Sequence, residues 1–275
     1  MSEQRTARVR LDHAEPEQLA RLAGFSRQEG CAWRLIGEEE TGVPDLIISR
    51  QGVFLNYEGK HLAFHPSMAL IRMINLLRGE SDRFLAAADL QAGDTLLDTT
   101  LGLGSDALIG AWAVGDKGRV LALERSPLLA AFIQDGLKHF SEIVPRVKNK
   151  DKERAWAALS QAAGSIEVRR AEHGAYLRNM PSRAVDVVYF DPMFRRTVKK
   201  SGSVLPLHSW AEHKPLASDA VKEACRVARR RVVLKERKDS PEFERLGFKV
   251  LSGGLYSPVD YGVIETRQEY EKNKE

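Results

Sequence analysis

The tetrapeptide Asp191-Pro192-Met193-Phe194 gathers more chemistry than any other four residues of this chain. It closes Val185–Asp191 (VDVVYFD), a run apolar enough to be buried and rich in β-branched and aromatic residues, so it reads as a strand end. A carboxylate, a proline carbonyl and an aromatic ring delivered together suit a planar base amine. Such a nitrogen is a poor nucleophile, because its lone pair is delocalised into the ring. Asp191 and the Pro192 carbonyl can each accept one of its N–H groups, which favours a pyramidal nitrogen with an aimed lone pair. Proline fixes its own φ and restricts the residue before it. Phe194 offers a face for stacking, worth about 1–3 kcal/mol. Asp191, Pro192 and Phe194 are therefore the candidate catalytic residues. The plainer alternative is an Asp-Pro turn followed by a core phenylalanine, and it weakens once the tetrapeptide is placed in its context.

That context begins at Thr95–Asp98 (TLLD), followed by Thr-Thr-Leu-Gly-Leu-Gly-Ser-Asp-Ala. Gly102 and Gly104 allow a tight turn and a close approach of backbone to ligand. Gly102-x-Gly104-x-x-Ala107 also satisfies the dinucleotide fingerprint, so the glycines alone do not choose a cofactor. The acids around them do. Asp98 closes the strand and Asp106 opens the next helix, and carboxylates there oppose a pyrophosphate. S-adenosylmethionine carries a sulfonium and an ammonium and no phosphate, and both cations favour a neighbouring carboxylate. Glu124 ends the following strand (Arg119–Glu124, RVLALE) and can accept two ribose hydroxyls, as it would in an NAD enzyme also. An NAD(P) oxidoreductase remains a rival, although no Tyr-x-x-x-Lys arrangement sits in a suitable helix. His173, after the third strand, falls where such folds lay a ligand's adenine, but a surface or supporting role is the commoner use of a lone histidine.

These residues need a scaffold. From Thr95 onward short apolar runs alternate with helical patterns. The strands are Thr95–Asp98, Arg119–Glu124, Ile166–Arg169, Val185–Asp191 and Arg231–Lys235. The helices are Ala107–Val114, Pro127–Phe140 and Ser218–Arg229. This alternation predicts a mostly parallel sheet with helices on both faces, closed by a late antiparallel hairpin of Lys249–Leu251 and Gly262–Glu265. Ligands of such sheets sit beyond the carboxyl ends of the strands, where the residues above fall. Val144–Gly164 reads as a solvated, partly helical insertion. Residues 1–90 form a separate small α+β unit. In it Asp45–Ser49, Gly52–Tyr57 and Lys60–Phe64 make a β-meander, and Pro66–Leu77 and Ser81–Ala88 are helical. The expected division is 1–90 and 91–275.

The bulk numbers exclude several classes. A 43% hydrophobic and 29% charged chain of 275 residues is ordinary for a globular protein. No run is long enough for a membrane span, and the polar N-terminus lacks a secretion signal, so a cytoplasmic protein is expected. Cys31 and Cys225 have neither disulfide-framework nor metal-ligand spacing. A net charge of +4 permits a polyanionic partner without demanding one. Its placement says more, because Arg195, Arg196, Lys199 and Lys200 follow the tetrapeptide directly. Phosphate contacts there would hold an RNA while a base is flipped into the site. The second basic cluster, Arg229–Lys238, reads as a solvated surface.

The ensemble resembles class I S-adenosylmethionine-dependent methyltransferases of Rossmann-like α/β fold. The tetrapeptide is similar to the Asp/Asn-Pro-Pro-Tyr/Phe motif of amino-methyltransferases, with Met193 in place of the second proline. Asp-Pro-Met-Phe, Leu-Gly-Leu-Gly-x-Asp-Ala and Leu-Glu-Arg-x-Pro together resemble the bacterial family that methylates a guanine amine of small-subunit ribosomal RNA. The likeness covers residues 94–265. It implies cofactor contacts at Ser105, Asp106, Glu124, Arg125, Glu172, His173 and Asp191, with Ser105 where that family usually has arginine. Phe64-His65-Pro66-Ser67-Met68 is similar to Gram-positive relatives of that enzyme rather than to the enzyme proper. The expectation is methyl transfer from S-adenosylmethionine to an exocyclic base amine of RNA. The alternatives are a protein or small-molecule nitrogen as acceptor, or a non-catalytic RNA-binding assembly factor.

Overall fold

The computed structural model describes residues 6–11, 15–26, 32–35, 45–50, 52–57, 60–143, 149–192, 215–251 and 257–266. The first sheet joins β1 (Thr6–Leu11), β2 (Ala32–Leu35), β3 (Asp45–Ser49), β4 (Gly52–Tyr57) and β5 (Lys60–Ala63) in the order β2-β1-β3-β4-β5. β3, β4 and β5 are the expected antiparallel meander. β1 and β2, which the sequence did not announce, pair in parallel beside it. Helix α1 (Pro16–Ser26) connects them.

Two helices lead to the second sheet. Ser67–Leu77 (α2) follows Pro66, whose fixed φ suits a helix start. Arg83–Ala88 (α3) is capped by Asp82, whose side chain accepts the Leu85 N–H. The large sheet contains β6 (Thr95–Asp98), β7 (Arg119–Glu124), β8 (Ile166–Arg170), β9 (Val185–Phe190), β10 (Ala228–Arg237), β11 (Lys249–Leu251) and β12 (Val259–Glu265), in the order β11-β12-β10-β9-β6-β7-β8. β6 to β10 are parallel, whereas β12 runs antiparallel to both β10 and β11. This is the expected Rossmann-like sheet with its late hairpin. The chain leaves β6 toward β7 on one side and returns to β9 on the other. The β6/β9 boundary is thus the switch point, and its carboxyl end is where such sheets bind ligands.

Both faces are covered. On one lie α2, α3, α4 (Ser105–Val114), α5 (Pro127–Lys138) and α6 (Lys150–Ala163). On the other lie α7 (His173–Asn179), α8 (Ser218–Val227) and α9 (Glu242–Leu246). Alternation along β9 sends Val187 and Tyr189 to the first face, and Val188 and Phe190 to the second. The first-face core also contains Val9, Leu46, Ile48 and Leu55 of the small sheet. Gly136 in α5 lets Phe64 lie against the helix, since a Cβ there would stand 2.2 Å from the Phe64 ring.

One expectation is corrected. Within Val144–Gly164, helix α6 is not a solvated insertion. Ala155, Trp156, Leu159, Ala162 and Ala163 recur at helical spacing and are buried, and Trp156 packs edge-on against Phe140. Its charged residues, Lys150–Arg154, are confined to the first turn and a half. Among the described residues no helix is long and apolar enough to cross a membrane.

Candidate active site at the switch point

The glycine turn is tied to both flanking strands. Thr99 N–H donates to the Tyr189 carbonyl at 2.9 Å and Leu101 N–H to the Leu123 carbonyl at 2.9 Å. Gly102 N–H donates to Glu124 Oε2 at 3.2 Å. Gly102 and Gly104 hold φ of 52° and 77°, a left-handed region that disfavours other residues. Gly104 is the N-cap of α4, so Ser105 and Asp106 fall in its first turn.

Four carboxylates ring this turn in unequal environments. Asp98 is 1% exposed and accepts the Thr100 N–H at 3.0 Å. Burial pushes its pKa up to about 8, the charges of Asp106 and Asp191 add to the rise, and Lys235 opposes it. Glu124 takes the Ser126 N–H at 2.7 Å beside that of Gly102, and burial still pushes it up to about 7. Asp106 differs. Burial alone would raise it, but the Lys235 and Arg72 charges and the hydrogen bonds of Arg72 and Tyr189 hold it well below the carboxylate range. Asp191 is raised to about 6 by burial and by Asp106, against the pull of Lys235.

Asp191 carries its position twice over. Its backbone N–H donates to Thr100 Oγ1 at 2.6 Å, and its Oδ2 accepts from Lys235 Nζ at 2.7 Å. The side chain keeps 26% of its surface exposed. Pro192 follows it, half-buried.

The expected site residues divide accordingly. The structure brings Asp98, Gly102, Gly104, Ser105, Asp106, Glu124 and Asp191 to one sheet edge. Asp98 is covered, and burial favours its protonated form in the free protein. Asp106 is satisfied by protein partners, Arg72, Tyr189 and Lys235. Arg125 is exposed at the end of β7. Glu172 is the N-cap of α7, with both oxygens taken by the N–H groups of Gly174 and Ala175. His173 packs edge-on against Phe190, and burial lowers its pKa. Phe194, Arg195, Arg196, Lys199 and Lys200, like Met193, lie outside the described residues.

Residues the sequence reading passed over complete the site. Lys235 ends the apolar run VVL, the signal used at every other strand, yet it sits inside a basic cluster read as solvated surface. That reading is corrected: Arg229 pairs with Asp186, Arg230 with Asp94, Arg231 with Glu265, and Lys235 with Asp106 and Asp191. Arg72, arriving from α2, has no local sequence signal. A broad depression at the opposite ends of β7 and β8, lined by Gly118, Arg119, Ser165 and Ile166, includes none of the residues of this site.

A glycine turn ringed by carboxylates fits a cationic, phosphate-free nucleoside and would repel a pyrophosphate. Comparison with known proteins agrees. Residues 67–247 match the family model SAM_MT, described as "Putative SAM-dependent methyltransferase". The Bacillus subtilis protein named "Uncharacterized protein YpiP" is 38% identical over 224 residues, 81% of this chain and 82% of its own. "Ribosomal RNA small subunit methyltransferase J" of Laribacter hongkongensis is 33% identical over 108 residues, covering 39% of this chain and 33% of its own. A crystal structure described as a SAM-dependent methyltransferase from Neisseria gonorrhoeae superposes with a TM-score of 0.60, at 16% identity. It covers 94% of this chain and 96% of the other, a likeness of fold.

Proposed function

The chain belongs to this family and is a SAM-dependent methyltransferase; from that premise we propose that it methylates an exocyclic base amine in RNA, a guanine of the small ribosomal subunit. The carrying observation is Asp191. Its carboxylate stands at the carboxyl end of β9, a quarter exposed, with one oxygen held by Lys235 and Pro192 next in the chain. The other oxygen, Oδ1, and the Pro192 carbonyl are the acceptors for the two N–H groups of the amine. With both engaged, the nitrogen lone pair is left to point toward the cofactor. Asp191 is also the nearest group to receive the proton that the amine loses.

S-adenosylmethionine, when bound, supplies an electrophilic methyl group. Glu124 would hold its ribose, the backbone of Gly102 and Gly104 would give it close approach, and its positive charge would favour the ionised form of Asp98. Arg125 and His173 flank its adenine. An already activated donor asks the protein for alignment more than for a strong base.

RNA as the substrate class is supported by the Asp-Pro-Met-Phe sequence and by relatives named for ribosomal RNA methylation. In this reading Phe194 stacks on the base, and Arg195, Arg196, Lys199 and Lys200 bind phosphates. Mapping modified nucleosides in ribosomal RNA from a strain lacking the protein tests it. One methylated guanosine should vanish from the small-subunit RNA and return on complementation, and an unchanged modification profile would refute the proposal.

A further inference from the structure

A buried ladder of alternating charge runs from helix α2 to the site. Asp82 accepts from Arg72 Nε at 2.7 Å and Nη2 at 2.9 Å. Arg72 Nη1 donates to Asp106 Oδ1. Asp106 Oδ2 accepts from the Tyr189 hydroxyl at 2.9 Å and from Lys235 Nζ at 3.2 Å. Lys235 Nζ then donates to Asp191 Oδ2 at 2.7 Å.

The backbone dictates this meeting. Leu234 and Phe190 are register partners in the parallel pair β9/β10, so the next residues, Lys235 and Asp191, fall side by side. Alternation puts Lys235 on the face of Tyr189 and Val233, where Tyr261 is its cross-strand partner. An ammonium held in such a place is costly unless paired, and apolar residues would pack there at less cost. Each inner rung of the ladder is explained by the next. Asp191 is the last, and at 26% its side chain is more open than Lys235 at 21% or Asp106 at 10%.

We propose that Lys235 is a positioning residue for methyl transfer. Its ammonium fixes Asp191 Oδ2 and keeps the carboxylate ionised, while Asp106 and Arg72 hold the lysine in turn. This rests on Asp191 being the carboxylate that meets the acceptor amine. Without Lys235, Asp191 would face the carboxylates of Asp106 and Asp98, the hydroxyls of Tyr189 and Tyr261, and the more distant Arg72. The Asp106 charge and a buried setting favour a protonated carboxyl, which donates where the reaction needs an acceptor. Lys235 itself is no general base, because its two carboxylate neighbours hold it protonated despite burial.

The test uses the full chain with Lys235→Met, Lys235→Arg, Asp191→Asn and the double variant K235M/D191N, on small ribosomal subunits from a strain lacking the protein. K235M should lose about a hundredfold in kcat, the scale of a misplaced reacting group. Its Kd for S-adenosylmethionine, read by calorimetry, should stay within about threefold of the parent. K235R should recover much of the loss. In the D191N background the lysine change should cost little more, because the carboxylate it serves is gone. Carbon-13 NMR titration of the Asp191 carboxyl needs no substrate, and its midpoint should rise by about one pH unit or more in K235M. Lys235→Gln carries the same comparisons if the methionine variant does not fold. An unmoved Asp191 midpoint, or a K235M enzyme with parental kcat, overturns the proposal. A fully active D191N enzyme instead overturns the reading of Asp191 beneath it, and the proposal with it.

Discussion

Thr100 Oγ1 accepts the backbone N–H of Asp191 at 2.6 Å, so the glycine turn and the end of β9, with its proposed acceptor carboxylate, are fastened to each other. In the proposed reaction this bond couples the donor side of the site to the acceptor side. Thr100→Val removes the acceptor while nearly keeping the shape. A lost hydrogen bond of this kind is worth about 1 kcal/mol, so kcat should fall roughly fivefold to tenfold, with S-adenosylmethionine affinity little changed. Thr100→Ser should restore it. Steady-state kinetics with separate donor titrations would check both.

Glu124 holds two backbone N–H groups, from Gly102 and Ser126, and is assigned the ribose. Glu124→Gln keeps one carbonyl oxygen but loses the charge and half the acceptor capacity. Calorimetry should show donor affinity lowered about tenfold, and the free protein should lose about 1–3 kcal/mol of stability, because one of the two N–H groups is left without its acceptor.

Acid–base linkage gives a signed prediction. Asp98 and Glu124 have folded pKa values raised to about 8 and about 7, above those of an unfolded chain. Between about pH 4 and those values the folded state binds more protons than the unfolded one, so stability of the free protein falls as pH rises through that window. A cationic donor favours the ionised forms. Its affinity should therefore rise from pH 6 to pH 8, with uptake of protons by the buffer on binding. Thermal melts with and without donor, and calorimetry in buffers of different ionisation enthalpy, read both effects. A donor affinity independent of pH would separate these carboxylates from the cofactor.

Gly136 tests the seam between the two sheets. A methyl group there would meet the Phe64 ring at 2.2 Å, so Gly136→Ala should destabilise the protein by about 1–3 kcal/mol, measured by denaturant unfolding. Gly24 in helix α1 has nothing within 4 Å of an added Cβ, and Gly24→Ala should stabilise by up to about 1 kcal/mol.

The sheet was legible because its signals are local. Apolar runs such as VDVVYF and RVLALE are short, continuous and separated by helical periods, and their ends pointed to Asp98, Glu124 and Asp191. α6 was misread because seven of its fourteen residues are polar or charged, five of them in one run, while Ala155, Trp156 and Leu159 form a face only when wound into a helix. β1 and β2 were missed because Arg alternates with apolar residues in β1 and β2 is only four residues long. The ladder was hidden for a different reason. Arg72 and Asp106 are 34 positions apart, Asp106 and Lys235 are 129 apart, and charge pairing over such separations is decided by topology alone.

The most direct test of the central claim is methyl transfer by the Asp191→Ala variant. Small ribosomal subunits from a strain lacking the protein would be incubated with tritiated S-adenosylmethionine and parent or variant enzyme, and the RNA digested to nucleosides. The parent should place label in a methylated guanosine. The variant should place none there while still binding donor, and its melting temperature should fall, because Lys235 loses one of its two carboxylate partners. Equal labelling by the variant, or label found in ribosomal protein instead of RNA, would contradict the account.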